Sequence, residues 1–121
     1  MPLYAEIAET YAYLAAELNK LNIAYLHVID YASLATEEGQ QLLKDIRANF
    51  SNVLIRNGGY TKDRAESVLG NNEADMISFG SPYIANPDLV NRLANDIALA
   101  KPDPNTFYTP DAVGFTDYPV A

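Results

Sequence analysis

The chain has 121 residues, a usual length for one domain and too short for the about 250 residues of a complete (β/α)₈ barrel. Its 49% apolar against 20% charged residues predict a packed core, and sixteen acids against eight Lys+Arg give a net charge of −8, which argues against nucleic acid or an anionic membrane as partner. Cysteine is absent and histidine occurs once, which excludes disulfides, thiolate catalysis, Fe–S clusters and multi-histidine metal sites.

Met1-Pro2-Leu3-Tyr4-Ala5-Glu6 shows neither a basic n-region nor an apolar h-region, so a cytoplasmic location is expected. Ile7, Tyr11, Leu14, Leu18 and Leu21 fall at helical spacing and predict a helix over 4–21, with Tyr11 and Tyr13 as packing residues. Ala24-Tyr25-Leu26-His27-Val28-Ile29 is a nearly continuous apolar run, which suits a parallel strand covered on both faces, with Tyr25 packed. A second helix is predicted over 36–49, with Leu42, Leu43 and Ile46 inward and Glu37, Glu38 and Asp45 on a solvated face. Val53-Leu54-Ile55-Arg56 is the second strand, ended by Asn57-Gly58-Gly59. Thr61 then caps a third helix through Ala65, Val68 and Leu69, stopped by Gly70-Asn71-Asn72. Met76-Ile77-Ser78-Phe79 is the third strand, ended by Gly80-Ser81-Pro82. Asn86-Pro87-Asp88 reads as N-cap, first helical proline and dipole-facing acid for a helix carrying Leu89, Leu93 and Ile97. A proline-punctuated tail follows from about residue 101.

The fold class is therefore α/β: one unit over 1–121, α-β-α-β-α-β-α over 1–100 with an irregular tail over 101–121. Helices between successive strands imply three parallel strands. Such a set can be a small α/β layer or an arc of a barrel, and periodicity does not choose between them.

Ligands of parallel α/β folds bind beyond the carboxyl ends of the strands, where two neighbouring strands here end in glycine. Glycine lets backbone N–H groups approach an anion closely. Alternation puts Leu54, Arg56 and Gly58 on one face of the second strand, and Met76, Ser78 and Gly80 on one face of the third. If helices cover Val53, Ile55, Ile77 and Phe79, the opposite face narrows to glycine and serine and leaves room for a ligand. Tyr83-Ile84-Ala85 is the candidate for the short extra helix that barrels use beside a phosphate. Neither turn has dinucleotide-fingerprint or P-loop spacing. His27 reads as a buried, hydrogen-bonded core histidine rather than a catalyst. Asp30 is better placed for function, although strand-end acids often cap the next loop. Phe107, Tyr108, Phe115 and Tyr118 make a tail that either packs on the body or covers a site.

Five stretches carry a resemblance: Leu18-Asn19-Lys20-Leu21-Asn22-Ile23-Ala24-Tyr25-Leu26-His27-Val28, Asn57-Gly58-Gly59-Tyr60-Thr61, Ile84-Ala85-Asn86-Pro87-Asp88-Leu89, Pro104-Asn105-Thr106-Phe107-Tyr108 and Gly114-Phe115-Thr116-Asp117-Tyr118-Pro119. In this order the chain resembles the C-terminal third of the Old Yellow Enzyme family, the FMN-dependent NAD(P)H ene-reductases of N-ethylmaleimide reductase type. The resemblance implies that the strands correspond to strands 6, 7 and 8 of a TIM barrel, a partial barrel. It implies FMN as cofactor, with Asn57, Gly58 and Gly59 at its phosphate after strand 7 and Gly80 and Ser81 after strand 8. Tyr108, beside Phe107, matches the tail aromatic over the flavin and substrate pocket. The partners implied are NAD(P)H and an activated alkene.

Two departures qualify the resemblance. Ser81 stands where the family usually has arginine, and Arg56, placed on the face of Gly58, is expected to compensate in part. The first five strands have no counterpart in these residues, nor do the substrate-binding His/Asn pair and the proton-donating tyrosine. The expected function is a part of an ene-reductase that is inactive until a complementary N-terminal fragment supplies those strands. The alternative is a non-catalytic α/β module that buries its open edges by self-association.

Overall fold

The computed structural model describes residues 6–31 and 35–121. The chain divides into two compact units, Met1–Ser78 and Phe79–Ala121.

The first unit contains α1 (Ile7–Lys20), β1 (Tyr25–Ile29), α2 (Glu37–Asn49), β2 (Val53–Asn57), α3 (Lys62–Gly70) and β3 (Met76–Ile77). The strands form one parallel sheet in the order β1-β2-β3. Thr36 starts α2 by accepting the Gly39 amide at 3.1 Å, and Arg47 in its last turn donates to Phe50 O and Asn52 O at 2.6 and 3.0 Å. Thr61 caps α3 as expected from the sequence. Ala15 of α1, Leu42, Ile46 and Phe50 close on Leu54 of β2, with Leu18, Leu26 and Val28 packed against them. Burial of side chains such as Phe50 and Leu54 contributes about 1.5–3 kcal/mol each.

Register corrects the faces read from alternation. Tyr25, His27 and Ile29 pair with Val53, Ile55 and Asn57, and Ile55 pairs with Met76. In a parallel sheet paired residues share a face. Met76 and Ile77 take the sides expected of them, but β2 is turned over: Leu54 and Arg56 face the helices, and Val53, Ile55 and Asn57 face away. His27 lies on that uncovered face and is exposed rather than buried, although it does hydrogen bond. Tyr11, Tyr13 and Tyr25 are likewise exposed, so they do not pack as expected.

The amino-terminal end of the sheet is stitched by side chains. Asn19 Oδ1 accepts from the Ser51 amide and hydroxyl, and Asn52 Nδ2 donates to Asn22 Oδ1 and Ile23 O. Asp75 accepts from the Leu54 amide at 2.8 Å and from Arg47 at 2.6 Å.

The second unit holds α4 (Ser81–Ala85), α5 (Leu89–Ala94) and a 3₁₀ turn (Pro104–Thr106). Asn86 does not cap α5 as its sequence suggests; Asp88 stands at the N-cap. Asn86 is instead fully buried, donating to Pro82 O and Ala100 O and accepting from the Ala100 amide. Arg92 reaches Asp88, Ala98 O and Pro119 O, and Asp88 also accepts the Ala121 amide. The carboxyl-terminal segment is thus held by two buried polar side chains within its own unit.

Candidate functional site

The carboxyl end of β2 continues the strand's alternation into the turn. Arg56, Gly58 and Tyr60 point to the helix side and are buried, whereas Asn57 and Gly59 point the other way. Asn57 Nδ2 donates to Ser78 O and Ser78 Oγ, both at 2.9 Å, and Ser78 Oγ lies 2.8 Å from His27 Nε2. One polar bridge therefore ties all three strands on the uncovered face. Gly59 is exposed at φ +67°, a conformation that favours glycine.

Beneath this turn lies a charged cluster. Asp30, at the end of β1, is fully buried; its Oδ2 accepts from Arg56 Nε at 2.7 Å and from the Tyr60 hydroxyl. Arg56 is 2% exposed, and its Nη1 reaches Glu73 Oε2 at 3.2 Å. The Arg64 guanidinium stacks 4.4 Å from the Tyr60 ring centroid. Burial, and then the bond to Asp30, push the Tyr60 phenol up to about 12. A Cβ on Gly58 would come 2.0 Å from Asp30 Oδ1, so only glycine fits there. Asp30 thus ties the two sides of the turn that follows β2, a different turn from the one after its own strand. The sequence did not expose the cluster because buried charge breaks the apolar pattern that locates cores. The available signal was an acid and an arginine two register positions apart on adjacent strand ends.

Arg56 cannot take the part expected of it. It lies on the helix-covered face with two guanidinium nitrogens engaged, so it does not stand in for the arginine that Ser81 replaces. In the second unit Gly80 and Ser81 are exposed at the start of α4, which includes the Tyr83-Ile84-Ala85 turn. A Cβ on Gly80 would meet nothing within 4 Å. Tyr108 is 95% exposed, with its ring edge-on to Phe107 at 6.5 Å. Tyr118 accepts the Asp103 amide at 2.9 Å and so packs within the unit. Among the described residues no group of three or more His, Asp or Glu could hold a metal, and no helix is long and apolar enough to cross a membrane.

A model of the NADH:flavin oxidoreductase / NADH oxidase family matches residues 4–100. The chain belongs to this family. A 12-oxophytodienoate reductase-like protein of Solanum lycopersicum is 44% identical over 108 residues, 88% of this chain and 29% of the relative. Morphinone reductase, solved in complex with tetrahydroNAD, is similar with a TM-score of 0.88 at 39% identity, over 98% of this chain and 32% of that one. The old yellow enzyme from Trypanosoma cruzi is similar with a TM-score of 0.86 at 31% identity, over 98% and 31%. The chain therefore spans 29–32% of the length of these relatives. The NADH:flavin oxidoreductase family includes the Old Yellow Enzymes, and the three-stranded parallel sheet is part of their TIM barrel.

Proposed function

We propose that these residues supply FMN-phosphate binding and a tail aromatic to an NAD(P)H-dependent reductase of activated alkenes. The observation that carries the reading is the exposed, left-handed Gly59 at the carboxyl end of β2, where the missing Cβ, which would meet the Tyr31 ring at 3.1 Å, supports close approach of backbone to an anion. The openness around Gly80 supports it, since neither φ nor packing inside the chain calls for glycine there. Gly70 shares that openness, but it occupies the last turn of α3.

The residues fit the cofactor's phosphate in kind. The amides of Gly58 and Gly59 would donate to it, with Asn57 fixing the turn through Ser78. Gly80 and the Ser81 hydroxyl are assigned to the phosphate through the resemblance. The chemistry supplied by a bound FMN would be hydride transfer between a nicotinamide and an activated alkene, as the resemblance implies. Tyr108, a large ring left in water beside Phe107, would cover the flavin and substrate. The resemblance assigns the substrate-binding pair and the proton donor to barrel strands outside these 121 residues, so the chain alone would bind cofactor without turnover. A complementary fragment carrying those strands would be its partner. The uncovered sheet face favours a second reading, a self-associating module without catalysis, whose test is argued in the Discussion.

Quenching of flavin fluorescence tests the cofactor assignment. FMN is expected to bind more tightly than riboflavin, which lacks the phosphate. Ser81→Arg is expected to tighten FMN by roughly ten- to a hundredfold, from a charge-assisted bond of about 1.5–3 kcal/mol. Equal affinity for both flavins, or an unchanged FMN affinity in Ser81→Arg, would sink the phosphate assignment.

A further inference from the structure

We propose that Asp30 is the positioning residue of the Gly58-Gly59 turn, fixing from behind the backbone that meets the phosphate. The proposal deepens the FMN reading and rests on it for its functional consequence. Its geometry stands on the side chains alone. Residues 56, 58 and 60, alternate positions through the turn, all converge on this one carboxylate. Oδ2 ties Arg56 on one side of the turn and Tyr60 on the other. Among the described residues Oδ1 has no hydrogen-bond partner, and it is pressed against Gly58, whose Cβ, if present, would overlap it. With the even positions drawn inward, Gly59 is directed outward.

The electrostatics follow from the same contacts. A carboxylate under a phosphate-binding turn would repel its ligand, and a buried unpaired carboxylate would be strongly disfavoured. Arg56 offsets both at 2.7 Å, and Glu73 engages a second of its nitrogens at 3.2 Å. With Arg56 engaged by Asp30 and Glu73, the backbone donors of the turn are left to meet the phosphate.

Charge and position predict opposite results when Asp30 is removed. Asp30→Ala uncovers the Arg56 charge, which by electrostatics alone sharpens the preference for FMN over riboflavin. Positioning predicts that this preference falls at least tenfold, and that Asp30→Asn, which keeps the shape, restores most of it. Backbone order parameters from ¹⁵N relaxation provide a readout that needs no flavin. In Asp30→Ala those of Gly58 and Gly59 are expected to drop from about 0.85 to below about 0.6, with Leu54 in β2 unchanged. If Asp30→Ala does not fold, Tyr60→Phe removes one of the two Oδ2 ties and is expected to show a smaller drop at the same two glycines. Unchanged order at Gly58 and Gly59, or a sharpened preference for FMN, overturns the proposal. A wild-type chain that does not prefer FMN to riboflavin overturns the phosphate reading instead, and the order parameters then decide the positioning role alone.

Discussion

Tyr60 couples the buried cluster to alkaline pH. Its phenol is raised to about 12 by burial and by the bond to Asp30, against about 10 in the unfolded chain. The folded state therefore holds this proton more tightly than the unfolded state does. The associated stability is fully present below pH 10 and is lost as pH rises from about 10 to 12. Tyr60→Phe is expected to remove that alkaline loss and to cost about 1.5–3 kcal/mol at neutral pH, the usual worth of a hydrogen bond to a charged group. Urea denaturation at a series of pH values checks both. A wild-type profile that is flat between pH 10 and 12 would refute the assignment of the coupling to Tyr60.

At the scale of elements, the second unit depends on one carboxamide. Asn86 makes three hydrogen bonds from a fully buried position, tying the end of α4 to Ala100. Asn86→Ala would orphan the Ala100 amide and two carbonyls. It is expected to cost roughly 2–4 kcal/mol, at about 0.5–1.5 kcal/mol per bond, and to speed hydrogen exchange at Ala100. Exchange unchanged at Ala100 would contradict that role. This residue also marks where the sequence misleads: Asn-Pro-Asp matches an N-cap pattern, yet the side chain turns away to hold the following segment. Helices were legible because their caps are local, as Thr36 and Thr61 show. The side of β2 was not, because Val53 and Ile55 are as apolar as the core they do not enter, and Arg56 is buried through partners 26 and 17 residues away. The glycines were legible as turn residues from their place at the strand ends. The brace under one of them required knowing which strand ends are neighbours.

At the scale of the molecule, the uncovered sheet face sets two effects against each other. Tyr25 and Met76 are more than half exposed on it, Ile29 is 74% exposed, and Val53 adds to the same surface. β1 and β3 are edges of a three-stranded sheet, with backbone groups open to pairing. In the three relatives named above, more than two thirds of the chain lies outside the stretch matched here. For these 121 residues alone, a second copy can cover apolar surface of this extent. The net charge of −8 opposes that contact through like-charge repulsion. Salt screens the repulsion, with a Debye length falling from about 10 Å at 0.1 M to about 3 Å at 1 M, and leaves apolar burial intact. Association is therefore expected to rise with protein concentration and also with salt, opposite to an assembly held by ion pairs. Ile29→Lys, which puts a charge at the most exposed apolar position of the face, is expected to shift the equilibrium toward monomer. Light scattering across both variables checks this, and a monomeric mass at every concentration and salt level would rule out self-association through this face.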